Sequence, residues 1–135
     1  MADVTPIKKL LVANRGEIAR RIMRTAHDMG ISTVAIFAEG DARAPFVNEA
    51  DTAIFLEGRT STETYLDVEK VINACKRSGA DAVHPGYGFL SENEGFAQAI
   101  IDAGIKWIGP SPEVIGLMGD KLSAKNLMTE AGVPT

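Results

Sequence analysis

Three short segments of the sequence carry the side chains whose types and spacing could do chemistry. The first is Ala13-Asn14-Arg15-Gly16-Glu17, which follows an apolar run and precedes a helical pattern. The second is residues 84–93 (HPGYGFLSEN), where two glycines around Tyr87 let a ligand approach the backbone while the ring stays available. The third, Met118-Gly119-Asp120-Lys121, places a lysine in the first turn of a helix, against the preference of the helix dipole. Each segment is therefore a candidate for binding a ligand.

Each segment also has a purely structural interpretation. The first can be a capped turn in which Gly16 eases a tight bend, and the second can be a tight loop whose aromatic rings are packed as cover. A lone histidine such as His84 is more typical of a hydrogen-bonded structural residue than of a catalyst. Lys121 can be an exposed lysine that the helix tolerates. The residues alone leave these alternatives open.

The sequence contains no complete phosphate-binding or metal-binding motif. Gly86-Tyr87-Gly88 is not followed by the third glycine of a dinucleotide loop, and the Walker A spacing of Gly104 and Gly109 lacks the required Lys-Ser/Thr. The single cysteine, Cys75, cannot form an internal disulfide, and its place on an apolar helical stripe predicts a core residue. No Cys/His cluster has the spacing of a zinc site.

The composition excludes several classes of protein. The 135 residues are 45% hydrophobic and 24% charged, which is typical of a single globular domain and not of a disordered or fibrous chain. A net charge of -4 does not favour nucleic-acid binding. No apolar run approaches the ~20 residues of a membrane span, and the start has neither the basic nor the apolar region of a secretory signal. We expect a cytoplasmic domain that binds neither membrane nor nucleic acid.

Short apolar runs alternate with helical patterns along the chain. The five runs lie at residues 9–13, 33–38, 52–56, 80–84 and 106–108. They are nearly continuous in apolar residues, as buried parallel strands are. This alternation predicts an α/β fold, with a Rossmann-like parallel sheet of about five strands and helices on both faces.

The helical patterns have recognisable ends. The first helix has an apolar stripe of Ile18, Ile22, Ala26 and Met29, with Asn14 as N-cap, Glu17 at N3 and Gly30 after its end. A second predicted helix has a stripe of Val68, Val71, Ile72 and Cys75 and ends near Gly79, and a third is capped by Ser91 and carries Phe96, Ala97, Ile100 and Ile101. A short helix begins at Ser111-Pro112-Glu113, and a last one runs from Asp120 to about Glu130. Residues 39–51 are predicted to be the least regular connection.

The same segments, together with Ile108-Gly109-Pro110, resemble the N-terminal part of biotin carboxylase, the ATP-grasp component of biotin-dependent carboxylases. The resemblance runs from about Ile7 to Thr135, in order and with the family's spacing. Residues 58–66 and 107–112 look most like acyl-CoA carboxylase α subunits. The resemblance implies that residues 1–135 form the pre-ATP-grasp domain, with the lid and the catalytic C-terminal part absent from this chain.

The resemblance also implies a reaction and its participants. ATP and bicarbonate give carboxyphosphate, with Mg²⁺ or Mn²⁺ on the phosphates, and the carboxyl group passes to biotin on a carrier domain. The implied partners are the remainder of the carboxylase, the biotin carrier domain, a carboxyltransferase subunit and a second copy of the chain. The metal ligands and the general base belong to the absent part, so no catalytic residue is expected here and the isolated chain is expected to be inactive.

The resemblance assigns roles to a few residues of this chain. Lys121 would contact ATP, Tyr87 would lie beside the biotin ring, and Glu92 would line the same pocket. In that loop, Gly86 and Gly88 would give the ligand access to the backbone. Residues of the homodimer interface are expected at Arg21 and Arg24; Asp28, one turn later, stands where the family commonly has a glutamate.

Two other functions fit the sequence. One is another ATP-grasp ligase, of the purine carboxylase or carbamoyl phosphate synthetase type, although the pattern of residues 84–93 disfavours it. The other is a non-catalytic dimerisation module that uses the face of Arg21 and Arg24. The final acyl acceptor is not specified by the sequence.

Overall fold

The computed structural model describes residues 7–117, and these form one parallel sheet with helices on both faces. The five strands are β1 Lys9–Val12, β2 Ser32–Phe37, β3 Thr52–Phe55, β4 Ala82–His84 and β5 Lys106–Trp107. Their order across the sheet is β3-β2-β1-β4-β5, and every neighbouring pair is parallel. The predicted fold class and all five predicted strands are confirmed.

Helices connect the strands. They are α1 Gly16–Asp28, α2 Pro45–Glu49, α3 Val68–Ser78 and α4 Glu94–Asp102, with a 3₁₀ turn at Glu39–Asp41. The 3₁₀ turn and α2 lie in the connection 39–51, which the sequence indicated as the least regular one. Residues 112–117 are also helical, and the predicted cap is confirmed because the backbone N–H of Val114 donates to the Ser111 hydroxyl at 3.3 Å. The helix predicted from Asp120 lies outside the described residues.

Each strand sends alternate side chains to opposite faces of the sheet. One face packs against α3 and α4, through Leu11, Val34, Ile36, Val83, Val71, Cys75, Phe96 and Ile100. The other packs against α1 and α2, through Leu10, Val12, Ala35, Ala82, Ala19, Met23, Ala26 and Phe46. Cys75 is buried in the first layer as predicted, and burial raises the pKa of its thiol to about 12. No helix within residues 7–117 is long and apolar enough to cross a membrane.

The apolar stripe predicted for α1 is not the side of the helix that packs on the sheet; the buried side is rotated partway around the helix axis from it. The side that packs on the sheet carries Ala19, Met23 and Ala26, whereas Met29 is 70% exposed. Two alanines on the buried side let the helix lie close to the sheet, because their side chains add little thickness to the interface. The larger Ile18 and Ile22 lie on the flank of the helix and are only half-buried. An apolar flank of α1 therefore stays at the surface.

Two predicted helix caps were also wrong. The N-cap of α1 is Arg15, because the Asn14 side chain bonds to a different loop. The N-cap of α4 is Asn93, whose side-chain oxygen accepts from the Phe96 N–H at 2.8 Å, while Ser91 belongs to the turn before it. The sequence analysis missed Asp67, which caps α3 by accepting from the Lys70 N–H.

The predicted burial of β3 was incorrect. Its side chains alternate between half-buried and exposed, and Phe55 is 43% exposed. The reason is position: β3 pairs only with β2, at the edge of the sheet, so only part of it is covered.

Candidate functional site

The order of the strands creates a crevice at the carboxyl ends of β1 and β4. From β1 the chain builds β2 and β3 on one side, and then crosses to β4 and β5 on the other. The loops that follow β1 and β4 meet there, and the Ala13 N–H donates to the His84 carbonyl at 2.9 Å. Open parallel sheets bind ligands at such a switch point. Two of the three candidate segments are thus brought together.

Asn14 joins the two loops through its side chain. It is 1% exposed, and its amide nitrogen donates to the Pro85 carbonyl at 2.8 Å and to the Tyr87 carbonyl at 2.6 Å. Its amide oxygen accepts from the Arg15 N–H at 2.8 Å. The buried amide is therefore satisfied on both its nitrogen and its oxygen.

Gly86 lies directly above this amide. Its φ is +65°, and an added Cβ would stand 2.7 Å from Asn14 Nδ2 and 2.8 Å from Ile18 Cγ2. The Gly86 N–H donates to Nδ1 of His84 at 3.1 Å. Burial lowers the pKa of His84, which favours the neutral ring that can accept this bond. His84 thus has the structural role that the sequence favoured.

Tyr87 and Glu92 project from this loop into a groove of about 900 Å³. The Tyr87 side chain is 80% exposed, and Glu92 is exposed as well. We call this surface the apolar groove; it is lined by Ile7, Leu10, Ile18, Arg21, Ile22, Thr25, Ala26, Met29, Ile31, residues 84–87, Ser91, Glu92, residues 108–110 and Ile115. The flank of α1 forms one wall, so the groove combines an apolar wall with a loop that carries polar groups.

A second concave site lies on the other side of the β1–α1 turn. We call it the polar cavity; its volume is about 280 Å³ and it is lined by Arg15, Ala38, Gly40, Asp41, Arg59, Ser61 and Tyr65. Asp41 accepts from Nε and Nη2 of Arg15 and from the Tyr65 hydroxyl, which lies 2.6 Å away. The Tyr65 hydroxyl in turn accepts from the Ala38 N–H at 3.1 Å.

The charges of the polar cavity are neutralised within the chain. The hydrogen bonds from Arg15 hold the pKa of Asp41 below its usual range, and burial raises the pKa of the Tyr65 hydroxyl. The second arginine, Arg59, pairs with Glu39 at 2.9 Å. An anion entering this cavity would have to compete with two carboxylates, which favours a structural role for the cavity.

The structure gathers most of the predicted site residues on one surface. Tyr87, Glu92, Gly86 and Arg21 all line the apolar groove. Gly88 is exposed beside it, with a φ of +72° and open space around its Cα.

Of the two remaining predicted residues, one is described by the structure. Arg24 is exposed on α1, away from the groove lining. Lys121, the expected ATP contact, lies outside the described residues. Within residues 7–117, no group of three or more His, Cys, Asp or Glu side chains could hold a metal ion.

Sequence reasoning missed two features of this region. It took Asn14 for a helix cap, and no local signal marks its contacts with a loop more than seventy residues away. It also missed the network of Arg15, Asp41 and Tyr65, whose members are far apart in sequence. The sequence offers one hint of these contacts: Asn14 is a polar residue that directly follows the apolar run at residues 9–13.

Comparisons with known proteins found a matching family model and similar chains. Residues 6–115 match the family model described as "Biotin carboxylase, N-terminal domain". The chain is 56% identical over 128 residues to the biotin-dependent acyl-coenzyme A carboxylase alpha3 subunit of Mycobacterium leprae, and 51% identical over 127 residues to a biotin carboxylase of Halalkalibacterium halodurans. These alignments cover 95% and 94% of this chain, but only 21% and 28% of the relatives.

A solved structure is similar in fold as well as in sequence. The crystal structure of the Kluyveromyces lactis urea carboxylase superposes with a TM-score of 0.85 at 47% identity. The superposition covers 95% of this chain and 11% of the urea carboxylase chain. The chain therefore spans a minor part of the length of each of these proteins.

Proposed function

Because this chain belongs to the biotin carboxylase N-terminal domain family, we propose that it serves as the N-terminal domain of an ATP-dependent biotin carboxylase. The observation that carries the proposal is the apolar groove at the β1/β4 switch point, into which Tyr87 and Glu92 project. The match to this family favours biotin carboxylase over the purine carboxylase and carbamoyl phosphate synthetase types.

The proposed reaction is the formation of carboxyphosphate from ATP and bicarbonate, followed by carboxylation of biotin on a carrier domain. Mg²⁺ or Mn²⁺ would neutralise the charge of the phosphates. In this proposal Lys121 contacts ATP, Tyr87 lies beside the ureido ring of biotin and Glu92 lines the same pocket. Gly86 and Gly88 keep the loop backbone free of side chains where the ligand approaches.

The residues of the groove suit biotin chemically. An exposed aromatic ring can stack on the flat ureido ring, and the apolar wall formed by Ile18 and Ile22 can cover the aliphatic part of the ligand. In this proposal the residues of the groove bind and orient biotin, and Lys121 is the contact of the domain with ATP.

The acceptor of the carboxyl group is proposed to be an acyl-CoA. The support is the similarity to the alpha3 subunit of the acyl-coenzyme A carboxylase, which is the higher of the two identities given above. The relative that is a urea carboxylase shows that the same N-terminal fold occurs with a different acceptor. The proposed partners are the remainder of the carboxylase, the carrier domain and a carboxyltransferase subunit, acting in the cytoplasm.

The test is an activity assay on the full-length carboxylase that carries this sequence. ATP cleavage is measured with bicarbonate, with and without free biotin. We expect Tyr87→Ala to raise the KM for biotin about fivefold, because a stacking contact is worth about 1 kcal/mol. Phe55→Ala is the matched control, since it truncates another exposed aromatic ring at the far edge of the sheet. No stimulation of the wild-type enzyme by biotin, or equal KM values in all three proteins, would contradict the proposal.

A homodimer is the second part of the proposal. Arg21 and Arg24 are both exposed on α1, and within residues 7–117 the structure gives Arg24 no ion pair. Arginine is enriched at protein–protein interfaces, which supports an interface on this face of α1.

Sedimentation of the carboxylase tests the dimer. We expect Arg24→Glu to shift the protein from dimer to monomer, while Arg77→Glu, the same charge reversal on α3, leaves the dimer intact. A wild-type protein that is already monomeric at high concentration would overturn this part of the proposal.

A further inference from the structure

We infer that Asn14 is a positioning residue, whose side-chain amide fixes the backbone on both sides of Gly86 and thereby places the Tyr87 ring in the apolar groove. The inference rests on the proposed function, in which Tyr87 lies beside biotin. It assigns to Asn14, the second residue after β1, a task in biotin binding that its place outside the groove lining does not suggest.

The hydrogen bonds of Asn14 specify its orientation. Its nitrogen faces two carbonyl oxygens, those of Pro85 and Tyr87, and its oxygen faces the Arg15 N–H. Rotating the amide by 180° would set oxygen against oxygen twice and N–H against N–H once, so only one orientation satisfies all three bonds. The side chain is 1% exposed, so water cannot replace these bonds at low cost.

The loop needs this support because of its own composition. Tyr87 stands between Gly86 and Gly88, and both glycines have positive φ, at +65° and +72°. Glycine restricts the backbone least of all residues, so a tyrosine flanked by two glycines gains little fixed direction from its neighbours. The Tyr87 side chain is 80% exposed, so packing of its ring adds little. The hydrogen bonds from Asn14 to the Pro85 and Tyr87 carbonyls therefore hold the backbone of the loop in place.

Neighbouring contacts connect this restraint to the sheet. The Ala13 N–H donates to the His84 carbonyl, which continues the pairing of β1 with β4 up to the residue before Asn14. The Gly86 N–H donates to His84 Nδ1. Because the sheet holds Val12 opposite His84, just before Asn14 and Pro85, the position of the Tyr87 backbone follows the sheet rather than the groove wall. A ring held in this way is preorganised for its ligand, and preorganisation improves affinity by lowering the ordering cost of binding.

The inference predicts a specific pattern of kinetic defects in the full-length carboxylase. Asn14→Ala removes both donors without adding a buried charge, and we expect it to raise the KM for free biotin by up to about fivefold, the effect expected for loss of the Tyr87 ring itself. ATP cleavage measured with bicarbonate but without biotin is expected to stay within about twofold of wild type. Asn14→Ser replaces the amide with a single hydroxyl donor and is expected to have a smaller defect of the same kind. Should Asn14→Ala fail to fold, the comparison is made with Asn14→Ser.

The matched control for a purely structural effect is Tyr65→Phe. This change also removes two buried hydrogen bonds, those with Asp41 and the Ala38 N–H, but on the opposite side of the turn. We expect it to lower stability without altering the KM for biotin. Equal biotin KM values in the Asn14 variants and wild type, or an equal rise in Tyr65→Phe, would overturn the inference.

Tyr87→Ala in the same assay separates this inference from the function on which it rests. If Tyr87→Ala alters biotin binding and the Asn14 variants do not, only the positioning role fails. If Tyr87→Ala leaves biotin binding unchanged, the assignment of Tyr87 fails and the inference fails with it. If both residues act through one contact, the double variant Asn14→Ala/Tyr87→Ala is no worse than Tyr87→Ala alone.

Discussion

The polar cavity and the apolar groove lie on opposite sides of the β1–α1 turn, and two consecutive residues separate them. Arg15 bonds to Asp41 on the side of β2, and Asn14 bonds to Pro85 and Tyr87 on the side of β4. Both residues tie the same turn to a neighbouring loop. The two sides of the turn differ in the chemical character of the surface that remains exposed.

On the side of the cavity, the polar groups satisfy one another. The Asp41 carboxylate has three donors, and the charges of both arginines are matched by carboxylates of this chain. On the side of the groove, the polar groups are turned down into the loop, and an apolar wall with an exposed tyrosine faces outward. A closed network stabilises the fold, whereas an open apolar surface with a few polar groups can bind a ligand.

The largest effect is expected where the loop meets Asn14. Gly86→Ala puts a Cβ within 2.8 Å of Asn14 and Ile18 at a positive φ, so we expect the free energy of unfolding to fall by about 2–4 kcal/mol. Urea denaturation measures it. Gly88→Ala is the control, since its φ is also positive but nothing lies within 4 Å of an added Cβ. Equal losses in the two variants would show that the contact with Asn14 is not tight.

An intermediate effect is expected in the polar cavity. Asp41→Asn keeps the size of the side chain but removes the charge that faces Arg15, so we expect a loss of about 1–3 kcal/mol in unfolding free energy. Glu39→Gln, which weakens the exposed pair with Arg59, is expected to cost less than about 0.5 kcal/mol.

The pH dependence sharpens this prediction. The pKa of Asp41 is lowered in the folded protein by the hydrogen bonds from Arg15, so its contribution is complete above its ordinary pKa of 3.8 and is lost as the pH falls below it. Denaturation midpoints measured from pH 5 to pH 3 should therefore fall more steeply in wild type than in Asp41→Asn. Parallel pH curves would mean that this network contributes little.

The smallest effect is expected from His84. Burial lowers its pKa below the ordinary value of 6.5, so the folded state resists protonation. Its contribution is complete above pH 6.5 and is lost as the pH falls through the lower folded pKa, with a slope below about 1.4 kcal/mol per pH unit for one proton. His84→Asn keeps an acceptor for the Gly86 N–H and cannot titrate, so its stability should be flatter between pH 7 and pH 5. An unchanged slope in that variant would assign the effect to other groups.

Sequence patterns succeeded where local rules apply. The apolar runs located every strand of the described sheet, and Gly79 ends α3 in the left-handed conformation expected of a C-terminal glycine. The patterns failed at the start of α1. The local rule makes Asn14 the N-cap, but its side chain bonds instead to the loop that follows β4. They also failed for β3, since periodicity does not tell an edge strand from a central one.

The sequence by itself determined the parallel α/β fold, the family resemblance and the segments that could bind a ligand, because these depend on the order of apolar runs and on local motifs. The tertiary structure alone decided which of those segments meet. Only the order of strands sets Asn14 beneath Gly86, and only the packing of α1 through Ala19, Met23 and Ala26 leaves Ile18 and Ile22 as a groove wall. Such contacts join residues that are distant along the chain, and they are selected by how whole elements pack rather than by the preferences of any one segment.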